Sequence, residues 1–173
     1  VLNLGIPETS DSVSGLDLKL IDSKDVSFSY TLMVPRKNPY IITQTCTNGK
    51  SSVSNLVAKR IKIVTANGSI SVKQTKSEEI KAKASNGSIS FDYIEAKNAN
   101  LETANGSLKV VGSVESIKGI STNGSIKITP LTFAHEHSDI QLRTTNGGIR
   151  CTLPRIPEFA VKIDGSASTG KVT

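Results

Sequence analysis

The words IKIVTANGSISV (61–72), IKAKASNGSISF (80–91), ANLETANGSLKV (99–110) and IKGISTNGSIKI (117–128) decide the fold. They are one phrase written four times: an alternating run, a small residue, a free position, Asn-Gly-Ser, and a second alternating run. IQLRTTNGGIRC (140–151) is a fifth copy, IITQTCTNGKSSV (41–53) a degenerate first one, and ASTGKV (167–172) a diverged last turn. Asn-Gly falls at 48, 67, 86, 105, 123 and 146, in steps of 19, 19, 19, 18 and 23. A sustained period of this length marks a stack of units that each pack on their neighbours.

Within each unit apolar residues recur with period two, the strand signature. Before the Asn the inward set is Ile61/Ile63/Thr65, Ile80/Ala82/Ala84, Ala99/Leu101/Thr103, Ile117/Gly119/Ser121 and Ile140/Leu142/Thr144. After it come Ile70/Val72, Ile89/Phe91, Leu108/Val110, Ile126/Ile128 and Ile149/Cys151. Two foldings use such a pattern. Asn-Gly between alternating runs is a strong hairpin signal, which offers a stack of antiparallel hairpins. Same-phase repetition instead favours a parallel coil, because stacking each unit on its like places Ile on Ile and Asn on Asn at roughly 4.8 Å per rung. The expected fold is therefore an all-β, single-stranded parallel β-solenoid of six to seven rungs of about 19 residues, right-handed by the usual crossover rule. Asn-Gly then marks a corner needing φ > 0, which Gly or Asn supplies at little cost.

Stacked corners predict an amide ladder through Asn67, Asn86, Asn105, Asn123 and Asn146. Four of these also stand in N-G-S, the glycosylation sequon. The ladder is the preferred reading, because glycans on successive corners would have to share the spacing of one strand.

Composition agrees with a slim core: 36% hydrophobic residues, 4% aromatic, no Trp and one Met among 173 residues. With 21 Lys+Arg against 15 Asp+Glu, the net charge of +6 favours an anionic partner. No run is long enough for a membrane span, and no charged–apolar–small leader opens the sequence, which begins at Val1 and not Met, as it would if a leader or preceding region had been removed. Cys46 and Cys151 lie five rungs, roughly 24 Å, apart in this scheme, too far for a disulfide.

Residues 1–40 lack the repeat and are expected to form an N-terminal segment and β cap over the solenoid of 41–173. Leu16/Leu18/Leu20 and Val26/Phe28/Tyr30/Leu32/Val34 alternate as capping strands, and the first fifteen residues read as loosely held. One loop, Pro130–Ser138, is longer than the period allows and carries both histidines.

The T/S-x-N-G-S-I-x-V word, repeated near nineteen residues after Val34-Pro35, resembles the "putative adhesin" β-strand-repeat family over about residues 28–173. That family occurs in bacterial envelope proteins, with fungal and other eukaryotic relatives. The resemblance implies surface attachment or an envelope role, hence an extracellular or cell-envelope location, and it brings no catalytic residues.

The chemistry-bearing residues are few. His135 and His137 are the weak metal candidates, since alternate histidines chelate but a site needs three or four ligands. The acids Glu78, Glu79, Asp92, Glu95, Glu102 and Glu115 fall in different columns, unlike the convergent carboxylates of carbohydrate-active β-helix enzymes. No cofactor motif is present. Two columns are basic: Lys62, Lys81 and Lys118, with Asn100 and Gln141; and Lys109, Lys127 and Arg150, above Ser71 and Ser90. These are the candidate anion-binding strips, although charged columns also keep strands soluble and unpolymerised. The leading expectation is a non-enzymatic structural or adhesive module binding an acidic polysaccharide, a cell-wall polymer or a protein. A carbohydrate-active enzyme and an end-to-end assembly module are the alternatives. Nucleic acid is disfavoured, since no aromatics are interleaved with the basic residues.

Overall fold

The computed structural model of the chain describes residues 2–5, 16–19, 30–33, 40–131, 137–153 and 160–173. Its strands are β1 (Leu2–Gly5), β2 (Leu16–Lys19), β3 (Tyr30–Met33), β4 (Tyr40–Asn48), β5 (Ser51–Ser54), β6 (Val57–Asn67) and β7 (Ile70–Lys73). They continue with β8 (Lys76–Asn86), β9 (Ile89–Asn105), β10 (Leu108–Asn123), β11 (Ile126–Pro130), β12 (His137–Asn146), β13 (Ile149–Cys151) and β14 (Ala160–Thr169). Among the described residues every strand pairing is parallel. Ile61 pairs with Ile80, Ile80 with Ala99, Ala99 with Ile117, and Ile117 with Ile140. Like lies on like, so the chain is a β-solenoid and not a pile of hairpins.

The alternation seen in the sequence becomes the core. The inward residues named above are buried from Ile61 through Ile149, and the apolar ones form one continuous cluster with Phe91 as its only buried aromatic ring. Cys151, at the upper rim, is partly buried. Aliphatic and small side chains suffice because only one coil's width separates facing strands.

At each Asn-Gly corner two sets of bonds run along the axis. The Nδ2 of each Asn donates to the Oδ1 of the Asn one coil earlier, from Asn67 onto Asn48 through to Asn146 onto Asn123, at 2.7–3.0 Å. The glycine N–H donates the other way, to the carbonyl of the next Asn, as from Gly68 to Asn86 at 2.9 Å and from Gly106 to Asn123 at 3.1 Å. The requirement for glycine is one of conformation at Gly49, where φ is +114°, and chiefly one of space at the corners above it. A Cβ on Gly106 would lie 2.2 Å from the Gly87 carbonyl oxygen, and on Gly68 1.7 Å from that of Gly49. Left-handed backbone also occurs at a second corner, where Asn55, Gln74 and Tyr93 have φ of 56°, 46° and 56°. At Gln74 and Tyr93 this conformation costs about 1–2 kcal/mol each, and less at Asn55.

The register also explains the uneven steps. Val111 pairs with Asp92 but Gly112 pairs with Ile94, so this coil lacks a counterpart of Tyr93 and the step falls to 18. Pro130 lies opposite Gly112, and Asp139 opposite Ser116, which confines the extra residues of the 23-residue step to positions 131–138.

At the N-terminal side β2 pairs with β4, Leu16 opposite Ile42, while β1 and β3 form a separate two-stranded sheet. Leu2–Gly5, read from the sequence as loosely held, are thus paired with Tyr30–Met33; Leu20, Val26, Phe28 and Val34 lie outside the described residues. At the other end β14 pairs with β12 and Val172 bridges Ile149, so Thr169-Gly170 completes a coil in place of Asn-Gly. Ile163, in the core column above Ile140, is 42% exposed there.

The close approach of corner glycines yields a paired prediction. Gly106→Ala should lose roughly 3 kcal/mol or more, since backbone must move to admit the methyl group. Gly165→Ala, whose Cβ meets only Val172 Cγ1 at 3.4 Å, should change stability by no more than about 1 kcal/mol. Denaturant unfolding of the two variants checks this; equal losses would refute the steric account.

Candidate functional site

Outward side chains of one coil stand directly over those of the next, so the surface is written in columns. Lys62, Lys81, Asn100, Lys118 and Gln141 are successive partners in one. Ser71, Ser90, Lys109, Lys127 and Arg150 are successive partners in the other. The basic members of both are exposed. The structure brings each strip together as the spacing predicts but treats the two differently.

The first strip is flanked by acids. Glu79 accepts from Arg60 Nε at 2.6 Å and from Lys81 Nζ at 2.7 Å, and in the neighbouring column Lys83 meets Glu102 at 2.8 Å. Each strip has one paired lysine, Lys81 in the first and Lys109, bound to Asp92 at 2.7 Å, in the second, while Lys62, Lys118, Lys127 and Arg150 make no ion pair among the described residues; the second differs in that its three cations stand on consecutive coils. The stretches that carry Lys127 and Arg150 on this face, 124–131 and 147–153, hold no acidic residue. Positive charge is therefore concentrated at Lys109–Lys127–Arg150, on adjacent coils roughly 4.8 Å apart.

The acids are distributed as expected, in several columns, but their partners were missed. Arg60/Glu79, Lys76/Glu95 and Lys83/Glu102 are each separated by 19 residues and form cross-coil ion pairs. The signal was present as opposite charges one period apart; attention to like-charged columns concealed it. Glu79 is held below the ordinary carboxylate range chiefly by its bond from Lys81, with help from Arg60 and against partial burial. Asp92 is lowered chiefly by Lys109, with Ser90 and Lys73 contributing.

A second feature had no counterpart in the reading of the sequence. The left-handed corner residues Asn55, Gln74 and Tyr93 line a groove of about 370 Å³ with Val57 and the Lys76–Glu95 pair. Tyr93 is 66% exposed. Its only forewarning was the recurrence of non-glycine residues one period apart at a chain reversal.

Of the weak metal candidates, His135 lies outside the described residues, and His137 opens β12 with its side chain undescribed. Among the described residues no group of three or more His, Cys, Asp or Glu converges. Neither Cys46 nor Cys151 forms a disulfide. Cys46 shares the column of Thr65 and donates its S–H to the Asn48 carbonyl at 2.9 Å, while burial pushes the Cys151 thiol up. No helix is long and apolar enough to cross a membrane among the described residues.

These features define a parallel β-solenoid that displays charge in stacked columns. More particularly, the chain belongs to the Toastrack DUF4097 family, whose sequence profile matches residues 2–173. Comparison with curated proteins and with solved structures finds no match.

The ion pairs fix the sign of an acid response. A carboxylate lowered in the folded state contributes stability above its unfolded pKa and loses it as pH falls through the folded one. Stability should thus decline as pH drops below 4.5 for Glu79 and 3.8 for Asp92, continuing beneath these ordinary values. The Glu79→Gln/Asp92→Asn variant should lose at most about 1 kcal/mol per pair near neutrality and show a shallower acid decline. Denaturant midpoints at neutral and acid pH measure it; parallel declines in both proteins would show that these pairs are not responsible.

Proposed function

We propose that this protein is a non-enzymatic binding module that holds an anionic polymer along the Lys109–Lys127–Arg150 column, as a structural or adhesive element of a cell surface or envelope. The observation that carries the reading is the placement of three cations on adjacent coils, two of them without an acidic partner among the described residues. Like charges directly opposite one another on neighbouring strands cost stability, up to about 1 kcal/mol per pair. A polyanion lying along the axis relieves that cost and gains from the alignment, because its charges and the column both run in one dimension. Lys, a point charge on a flexible stem, and Arg, a planar fork of donors, both pair with repeated carboxylates, sulfates or phosphates. Acidic polysaccharide or a cell-wall polymer is the ligand class that matches. The resemblance to adhesin repeats points the same way, and so does the net charge of +6.

The expected result is retention on an immobilised acidic polysaccharide, such as heparin, that weakens as salt rises. Lys127→Ala/Arg150→Ala should bind about five- to tenfold more weakly, equivalent to ~1 kcal/mol or slightly more. Lys62→Ala/Lys118→Ala, on the face laced with acids, should lose less. Wild-type protein that passes the matrix at low salt, or equal losses in the two variants, would reject this column as the binding site.

A further inference from the structure

Six Asn-Gly pairs in one chain are six sites for a specific covalent change. In a mobile chain the backbone nitrogen of Gly, once deprotonated by a base, attacks the Asn side-chain carbonyl carbon. A C–N bond forms, the bond to Nδ2 breaks, and ammonia leaves. Water then opens the five-membered imide at either carbonyl, giving Asp or isoaspartate, with no oxidation or reduction. Glycine is the most permissive following residue because it carries no side chain to hinder the approach.

At each corner the structure withholds what this reaction needs. The nucleophile is occupied: Gly49, Gly68, Gly87, Gly106, Gly124 and Gly147 each donate their N–H to a carbonyl of the next coil at 2.9–3.1 Å. The electrophile is held as well. From Asn67 to Asn146 each side chain donates Nδ2 to the preceding Asn, and from Asn48 to Asn123 each accepts at Oδ1 from the following one. Turning an amide carbon towards its own glycine nitrogen would break ladder bonds and the inter-coil backbone bond together. At Gly68, Gly87, Gly106, Gly124 and Gly147 the glycine backbone is packed too closely to move alone, with the preceding coil's carbonyl oxygen 1.7–2.3 Å from where a Cβ would stand.

We infer that the Asn-Gly corners are latent deamidation sites, silenced by the ladder in the folded coil and released by unfolding, so that an unfolded chain becomes progressively unable to refold. The product explains the second half. Asp in place of Asn105 would set a carboxylate oxygen against Asn86 Oδ1 where an N–H now donates at 2.8 Å, acceptor facing acceptor. Isoaspartate lengthens the backbone by one carbon and breaks the coil-to-coil register. One chemical step thus converts transient unfolding into permanent loss, a one-way device that a repeat with Ser or Thr at the corner would lack.

The test ages full-length protein at mildly alkaline pH, folded in buffer and unfolded in guanidinium chloride, and follows the six sites by peptide mapping with mass spectrometry. The expected result is deamidation more than about tenfold faster in the unfolded chain, as protection by a cooperative structure requires. Refolding yield, read from the β-sheet circular dichroism, should fall in step with the deamidated fraction. Asn105→Asp supplies the product without ageing and should unfold at lower denaturant than wild type, by a margin that narrows as pH falls and its carboxyl regains a proton to donate. Equal rates in folded and unfolded protein would overturn the silencing; aged chains or the Asn105→Asp variant refolding with wild-type stability would overturn the one-way consequence.

Discussion

The stacking of one Asn-Gly corner on the next is the constraint on which the rest of the structure depends. Strand pairing alone would tolerate a slip along the coil, but a slip of one residue turns every inward side chain outward. The ladder opposes that slip from the surface, since each Asn amide is both donor and acceptor and finds its full complement only over another Asn. The glycines oppose it from the backbone, because a carbonyl sits where any side chain would begin. Core and corner specify the same register by independent means, and such agreement between local and global preferences is what gives a sequence one fold.

Once the register is set, the surface follows. Residues nineteen apart become neighbours, so charge that is scattered along the chain becomes an ordered pattern of columns. Some columns neutralise themselves, as Arg60 with Glu79 and Lys83 with Glu102. The column through Lys109, Lys127 and Arg150 does so only at its lower end, through Asp92. A repeat commits most of its residues to stacking, and what remains for function is the choice of outward side chain at each rung. The candidate site is accordingly a line of charge and not a pocket of convergent groups.

Much of this was legible in the sequence, for an identifiable reason. A parallel coil has a fixed period, so adding nineteen to a residue number predicts its neighbour; the Asn ladder and both basic columns were readable in that way. What was missed involved something other than period. The glycine column was credited to φ > 0, which holds at Gly49, Gly87, Gly147 and Gly170, but the close approach of the neighbouring carbonyl, which bars a side chain at every corner glycine except Gly49, was not foreseen. The left-handed corner at Asn55, Gln74 and Tyr93 was not foreseen, because Gln and Tyr carry no preference for that conformation; neighbouring strands impose it. The pairing of Leu2–Gly5 with Tyr30–Met33 lies outside the repeat, where counting has no purchase.

The sequence by itself determined the coil, its phase, the residues that face inward and the columns that face outward, because each depends only on a short repeat recurring at a constant step. Tertiary structure alone decided which charges are cancelled, where the chain must turn left-handed, and how the coils absorb steps of 18 and 23 residues at the second corner and at positions 131–138. Those outcomes depend on distances between side chains of different coils and on backbone fitted between fixed neighbours. Neither is encoded in any one repeat.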